Sequence, residues 1–323
     1  MRARLRYWRR VAEAYLLPGP SPLDFWHETP EADPKAVFDR LGPYYMTFAG
    51  KAAYAGPFDG KGIPLLDYRG AIGRRYNPIA VAQYGLARYN RWLDGDAKSK
   101  DIFLAQAGWL ADNLEKNGQG VSVWRHHFDF EYRTLLRAPW QSGLAQGQGL
   151  SLLSRAYMAT GETRYLDALR AAWKAFHLQA SQGGVVYREP TGNVWIEEYL
   201  VQPPSHILNG FIWALWGVLD FHLLTSDLGA KELFTDCVKT LERNLQRYDT
   251  GRWSLYELGD TALPMVASAY YHRLHVVQLR VLHAMTGAAA FRQRADRWEA
   301  YAALRSNRVR SRVQKALFKL LYY

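Results

Sequence analysis

One cysteine, Cys237, stands among 323 residues, so no disulfide can close within the chain. A single thiol fits a reducing compartment, and a cytoplasmic setting is the expectation. Cys237 falls in ELFTDCVKTLERNL, a helical pattern with no second ligand nearby, and reads as packing. No stretch of 18 uncharged apolar residues occurs, so no membrane span is expected. The N-terminus, MRARLRYWRRVAEAYLLPGP, is basic like the start of a signal peptide. Its apolar run is short, is interrupted by Glu13, and is not followed by a small-residue cleavage site, so no signal peptide is read. Metal signatures are missing too. His126 and His127 in RHHF are adjacent and do not share a helical face as an i, i+4 pair would. A P-loop, a dinucleotide fingerprint and a nucleophile elbow are also lacking, and Gly147 and Gly149 fall within a helical pattern. These absences speak against phosphoryl and hydride chemistry, and no metal or cofactor is expected.

What is present is apolar and aromatic. Hydrophobic residues make up 49% of the chain, with 12 Trp and 21 Tyr. That suffices for one large core or two ordinary ones. The aromatics suit either plain core packing or aromatic-lined clefts of the kind that hold sugars.

The net charge of +11 sits at the two ends. Arg2, Arg4, Arg6, Arg9 and Arg10 crowd the first ten residues, without an acid among them. Arg305, Arg308, Arg310, Arg312, Lys315 and Lys319 crowd the last nineteen, again without an acid. The body between is balanced, with 30 basic and 30 acidic side chains, so it is not a basic surface of the nucleic-acid type. The ends read either as solvated tails or as contacts to anionic lipid, an acidic partner or an acidic polymer. In VRSRVQKALFKLLYY, Val309, Val313, Ala316, Leu317 and Leu320 recur at helical spacing, as in a helix lying on a membrane surface.

The first seventy or so residues are rich in Pro, Gly and aromatics and read as short strands or irregular wrapping. From Asn77 the pattern changes. Asn77 then Pro78 is an N-cap followed by proline at the first helical position. The helix IAVAQYGLARYNRWL follows, and then a second, IFLAQAGWLADNLEKNG, expected to end at its glycine. The same plan recurs three times, in WQSGLAQGQGLSLLSRAYMATG with ETRYLDALRAAWKAFHLQ, SHILNGFIWALWGVLDFHLL with AKELFTDCVKTLERNLQRY, and YHRLHVVQLRVLHAMTG with AAAFRQRADRWEAYAAL. Each unit is an apolar helix, a turn and an amphipathic helix, with a period of roughly 60 to 70 residues, longer than common solenoid repeats. Helices apolar all round are buried, and amphipathic ones face solvent on one side. The expectation is a mainly α fold, an incomplete α/α toroid of helical hairpins behind a short N-terminal β or irregular segment. A stacked solenoid is the alternative.

Each inner helix carries an amide in its early turns: Gln83, Gln146 with Gln148, Asn209 and Gln278. Buried amides need partners. Either they ring a central cleft or they bond loop backbone. Acids and phenols gather in the loops before the third and fourth inner helices. Glu197, Glu198 and Tyr199 precede the third, where Ser205 reads as the N-cap. Asp249 and Tyr256 lie in YDTGRWSLYEL, and Tyr270, Tyr271, His272, Arg273 and His275 open the fourth. In a toroid these loops share one end. Taken singly, a tyrosine is usually core and a paired Glu usually solvated; their clustering at corresponding repeat ends points to a site.

Five segments in register, YNPIAVAQYGL, SGLAQGQGLSLLSRAYMATG, WIEEYLVQPPSHILNGF, YDTGRWSLYEL and YYHRLHVVQL, together resemble the C-terminal catalytic domain of D-glucuronyl C5-epimerases, from about residue 64 to about 302. The resemblance implies inversion at C5 of glucuronate units within a polysaccharide, giving iduronate, on an α/α toroid without a redox cofactor. By motif position it implies Glu198, Tyr199, Tyr256 and Tyr271 as catalytic. Around them, Tyr76, Gln83, Tyr84, Arg125, Gln146, Gln148, Asn209, His272 and Arg273 are expected to bind substrate. The domains expected are 1–63, an N-terminal basic and irregular segment; 64–304, the toroid; and 305–323, a basic amphipathic tail. This sequence departs from the family pattern at Leu200, where a proline is usual, and at Gly259 and Asp260, where a basic residue follows the YEL motif. Arg273 or Arg125 is expected to supply that charge.

The chemistry suits these residue types. The C5 proton is α to a carboxylate, and its removal builds a dianion. A positioned base contributes roughly 10²- to 10⁴-fold, and donors on the carboxylate must lower much of the rest. Glu198 and Tyr271 are expected to be the bases on the two faces, with Tyr199 and Tyr256 bonding the carboxylate. A tyrosine near its usual pKa of about 10 needs a cation beside it to act as a base. The expected partners are an acidic polysaccharide, a membrane surface at the basic ends on its inner face, and a second copy in a homodimer; nucleic acid is not expected. Three rivals stand beside the epimerase: a polysaccharide lyase that begins with the same proton, a glycoside hydrolase using Glu198 and Asp249, and a non-catalytic glycan-binding protein.

Overall fold

The computed structural model describes residues 25–68 and 72–322. The five arginines of the first ten residues lie outside them. Asn77 caps the first long helix as its sequence dictates: its side chain accepts from the backbone N–H of Ile79 and Ala80, and Pro78 follows at the first position. That helix, α1 (Pro78–Leu93), pairs with α2 (Lys98–Asp112). The second helix stops before its expected glycine, because residues 115–116 leave to form a strand with 122–123. Three more hairpins follow: α3 (Gly143–Thr160) with α4 (Thr163–Trp173), α5 (Leu208–Thr225) with α6 (Leu228–Asn244), and α7 (Ala269–Thr286) with α8 (Ala289–Ala303). Gly161 and Gly287, both at φ 72°, end α3 and α7 in the left-handed conformation that glycine adopts without strain.

The inner helices α1, α3, α5 and α7 pack side by side in chain order, and each carries its outer partner. Glycines set the tightest seam. A methyl group on Gly217 of α5 would run into the carbonyl of Gly147 on α3, so the two backbones touch. Helix α5 is apolar enough to cross a membrane by length and composition, yet 78% of it is buried inside the fold. Cys237 is buried in α6 as packing.

The toroid is incomplete, and the N-terminal segment spans its open arc. Phe25 packs with Ala80 and Tyr84 of α1, while His27 stacks on Tyr270 of α7 with ring centroids 4.8 Å apart. Farther on, Tyr44, Tyr45 and Phe48 enter among the inner helices. The Tyr45 hydroxyl donates to Asp220 of α5 at 2.7 Å, and Asp220 pairs with Arg155 of α3 at 2.6 Å; both charged side chains are fully buried. The Asn90 side chain of α1 accepts from the Tyr44 N–H at 2.7 Å.

Short antiparallel hairpins crown the N-terminal ends of the inner helices. Pairing of β1 (Leu65–Asp67) with β2 (Arg74–Tyr76) precedes α1, and β3 (Glu115–Lys116) pairs with β4 (Ser122–Val123). Before α3, β5 (Arg125–His126) pairs with β8 (Trp140–Gln141), enclosing the hairpin of β6 (Phe130–Glu131) and β7 (Leu135–Leu136). Before α5, β9 (Val186–Arg188) pairs with β10 (Val194–Ile196). The final helix, α9 (Arg305–Tyr322), folds back onto this crowned end, with Phe318 fully buried beside Tyr256, Trp253 and Ile207.

Candidate active site

Strand β10 delivers Glu197 and Glu198 to the mouth of α5, and the two adjacent carboxylates diverge. Glu197 holds the loop. Its oxygens accept from the backbone N–H of Ser205 (3.3 Å) and His206 (3.1 Å), and meet His206 Nδ1 at 2.5 Å. His206 sits at φ 48° and stacks on Trp195. The carboxylate therefore ties down the loop ahead of the helix, and Ser205 is not the N-cap it was expected to be: α5 begins after Ile207 without a side-chain cap.

Glu198 turns toward the phenols. It lies against Gly210, where any larger residue would strike its carboxylate. It accepts a hydrogen bond from Tyr199, while its Oε2 makes none. Burial pushes its pKa up to about 8; the Tyr199 hydrogen bond opposes the rise, and the fields of Glu257 and Glu197 add to it. Tyr256 is the hub. Burial raises its pKa well above the ordinary value, and the fields of Glu198, Tyr271, Tyr199 and Tyr132 add to the rise. Its ring meets Tyr271 edge-on at 4.9 Å. Tyr199 packs against Tyr132 at 4.7 Å and Trp140 at 5.7 Å. Tyr199 and Tyr271 are half-buried, so the cluster is open on that side. The structure thus gathers Glu198 and Tyr199 from one loop, Tyr256 from another and Tyr271 from the first turn of α7.

Further groups close round them. Glu257, next to Tyr256, is buried. It accepts from the Tyr132 hydroxyl and pairs with Arg133 Nε at 2.9 Å. Burial raises its pKa, and Arg133 and Tyr132 oppose the rise. The Arg133 guanidinium occupies the space over Gly259: a methyl there would lie 2.5 to 2.7 Å from it. The position after YEL that lacks a basic side chain is thus filled in space from the β6–β7 turn. Lys315 of α9 places its Nζ 4.9 Å from the centre of the Tyr256 ring. His27 meets Tyr271 at 5.9 Å, and burial lowers its pKa to about 4. Tyr132, Arg133, Lys315 and His27 are not marked by spacing, since each reaches the cluster through long-range packing; Glu257 stands beside Tyr256 in the YEL motif and was passed over.

Several expected binding residues lie elsewhere, each for a visible reason. Arg273 is exposed, so it does not supply the cation beside Tyr271. Successive helical residues turn by about 100°, which carries it off the face that Tyr271 occupies. His272 stacks on Trp253 at 3.8 Å, accepts from the Ser254 N–H through Nδ1 and meets the Trp298 carbonyl through Nε2. Tyr84 packs on Phe58 in the N-terminal cluster, and Tyr76 is exposed, bonded to Asp59 and set on Trp109. Gln146 bonds the backbone of Trp124, Ser122 and Ala172. The remaining amides differ. Gln83 makes no side-chain hydrogen bond to the protein, and Gln148 has only a 3.5 Å contact with Tyr44; Asn209 Oδ1 and Gln278 Oε1 are likewise unbonded. Arg125 lines a cavity of about 270 Å³ with Trp140, Gln141 and Leu200, next to Tyr199. Asp249 pairs with Arg294.

Comparison with known proteins points to one family. The model of the D-glucuronyl C5-epimerase C-terminus matches residues 118–300. A D-glucuronyl C5-epimerase of Caenorhabditis elegans is 35% identical over 215 residues, 62% of this chain and 35% of that protein. The chain therefore spans about a third of that relative's length. An uncharacterized protein of Methanocaldococcus jannaschii is 32% identical over 246 residues, covering 70% of this chain and 78% of the archaeal one. A cellobiose 2-epimerase structure from Spirochaeta thermophila superposes with a TM-score of 0.46 at 13% identity, over 68% of this chain and 57% of that one. With 183 matched residues, more than half of the chain, taking in Glu198, Tyr256 and Tyr271, this chain belongs to the D-glucuronyl C5-epimerase C-terminal family.

Proposed function

We propose that the protein is a carbohydrate epimerase that inverts D-glucuronate to L-iduronate within an acidic polysaccharide. One base removes the C5 proton and a group on the other face returns one. The observation that carries this reading is the grouping of a buried carboxyl of raised pKa, Glu198, with Tyr199, Tyr256 and Tyr271 around one opening. Glu198 and Tyr271 are the two proton-transfer groups. Tyr199 and Tyr256 donate to the uronate carboxylate, where charge builds as the C5–H bond breaks. A carboxyl titrating near neutrality suits proton transfer in both directions. Arg125 and Trp140 line the adjoining cavity and suit a neighbouring sugar of the chain.

The hydrolase reading relied on Asp249 as its second carboxylate, and Asp249 is engaged by Arg294. A lyase would share the first step and then expel the C4 substituent. Incubating the protein with a glucuronate polymer in D₂O separates the three by NMR. The reading predicts deuterium at C5 with chains intact; unsaturated uronate ends or new reducing ends would replace it with a lyase or a hydrolase.

The same reading extends to location. The outer face of α9 exposes Val309, Val313, Leu317, Leu320 and Leu321 among Arg308, Arg310 and Arg312. That combination suits peripheral contact with an anionic lipid surface.

A further inference from the structure

The helix α9 begins at Arg305, beyond residue 300 where the family match ends. Its inward side chains, Asn307, Ser311, Lys315 and Phe318, recur every three or four residues and form one stripe against the crowned end of the toroid. Phe318 at 0% exposure is an ordinary anchor. Lys315 is not. It is 9% exposed, and its ammonium lies over the buried Tyr256 ring instead of reaching out to water, as a snorkelling lysine would.

Among the described residues, Lys315 has no hydrogen bond and no ion pair. The acid whose field reaches it, Glu257, is already engaged by Arg133 and Tyr132. The other groups near it do not balance its charge: Lys319 lies one turn on, and His27 and His275 are neutral imidazoles with depressed pKa values. Burial therefore pushes the Lys315 pKa well below the usual value, with Lys319 adding to the fall. An ammonium without an anion is a costly thing to bury. Here it is buried beside the phenols that flank Glu198, in a cluster open to solvent on the side of Tyr199 and Tyr271.

We propose that Lys315, brought to the site by a helix outside the matched region, binds the carboxylate of the substrate. This rests on the reading above in taking that carboxylate as a uronate's. The incoming anion completes the missing partner. As C5 loses its proton, the ammonium, held protonated by the carboxylate it pairs with, offsets the charge growing on that carboxylate. Lys315 then does for this chain what a cation directly following the YEL motif would do, and Arg133 is left to hold Glu257.

The test compares wild type with Lys315→Met and Lys315→Gln, using a glucuronate oligosaccharide and its carboxyl-reduced counterpart as binding probes. Loss of a charge-assisted contact corresponds to about 10- to 100-fold in affinity. Both variants should lose that much for the uronate, keep wild-type affinity for the reduced sugar, and melt no lower than wild type, since Lys315 has no hydrogen bond or ion pair among the described residues to lose. Lys315→Arg should recover part of the loss. Unchanged uronate affinity, equal loss for both sugars, or faster C5 exchange after substitution would overturn the proposal, the last by showing that α9 obstructs the site. The two readings fail separately. Lys315-dependent uronate binding without any C5 exchange in wild type would leave Lys315 standing and remove the epimerase. Wild-type exchange and affinity in both variants would do the reverse.

Discussion

At the scale of single residues, the two neighbours Glu197 and Glu198 show how one backbone step separates structure from chemistry. Glu197 spends its oxygens on the N–H groups and the imidazole of the loop. Glu198 keeps one oxygen unbonded against Gly210. Its pKa of about 8 has a consequence for stability. A carboxyl raised above its unfolded value of about 4.5 binds a proton in the folded state that the unfolded state has released. Its stabilising contribution is full below the unfolded pKa and is lost as pH rises through about 8. Wild type is therefore expected to lose melting temperature between pH 5 and 9, and Glu198→Gln to flatten that decline. The same group sets activity: kcat/KM should rise with pH to a shoulder near 8 as Glu198 ionises, and this limb should vanish in Glu198→Gln. A profile flat from pH 6 to 9 would remove Glu198 as the base.

Elements place those residues. The alternation of apolar and amphipathic helices, and the Asn77–Pro78 start, were legible because helical period and cap chemistry are local. The grouping of Glu198, Tyr256 and Tyr271 was legible from the family motifs they match and from the gathering of acids and phenols ahead of the third and fourth inner helices. Arg133 and Lys315 were not, since nothing local says that a hairpin turn and a terminal helix will meet at Tyr256. Arg273 misled by proximity in sequence, which on a helix means a different face. The Arg155–Asp220–Tyr45 network was equally hidden, for it joins α3, α5 and the N-terminal segment across the core. Removing one partner strands a buried charge. Asp220→Ala is expected to cost about 3–5 kcal/mol, read as a shift in the denaturant midpoint. A loss under about 1 kcal/mol, the worth of an exposed pair, would show that the pair does not tie the toroid to its N-terminal segment.

Over the described residues, four hairpins make an open ring, and the segment from Phe25 onward together with α9 completes it. The N-terminal segment spans from α1 to α7, and α9 lies over the mouth. The charge follows the same division, with a balanced body and basic termini. The outward face of α9 is expected to hold the protein on vesicles containing anionic lipid and to release it as salt rises through physiological strength, where the Debye length is about 8 Å. Flotation with Leu317→Asp and Leu321→Asp together should abolish binding and leave exchange on soluble polymer unchanged. Equal flotation with and without these substitutions would remove the lipid contact.

The central claim is that one carboxyl and one phenol from separate hairpins move the C5 proton. NMR of a glucuronate polymer in D₂O tests it most directly, with wild type, Glu198→Gln and Tyr271→Phe compared at equal folded concentration. The account predicts C5 deuterium and iduronate signals from wild type, and a fall of at least about 100-fold in each variant. Deuterium appearing at the wild-type rate in either one would contradict it.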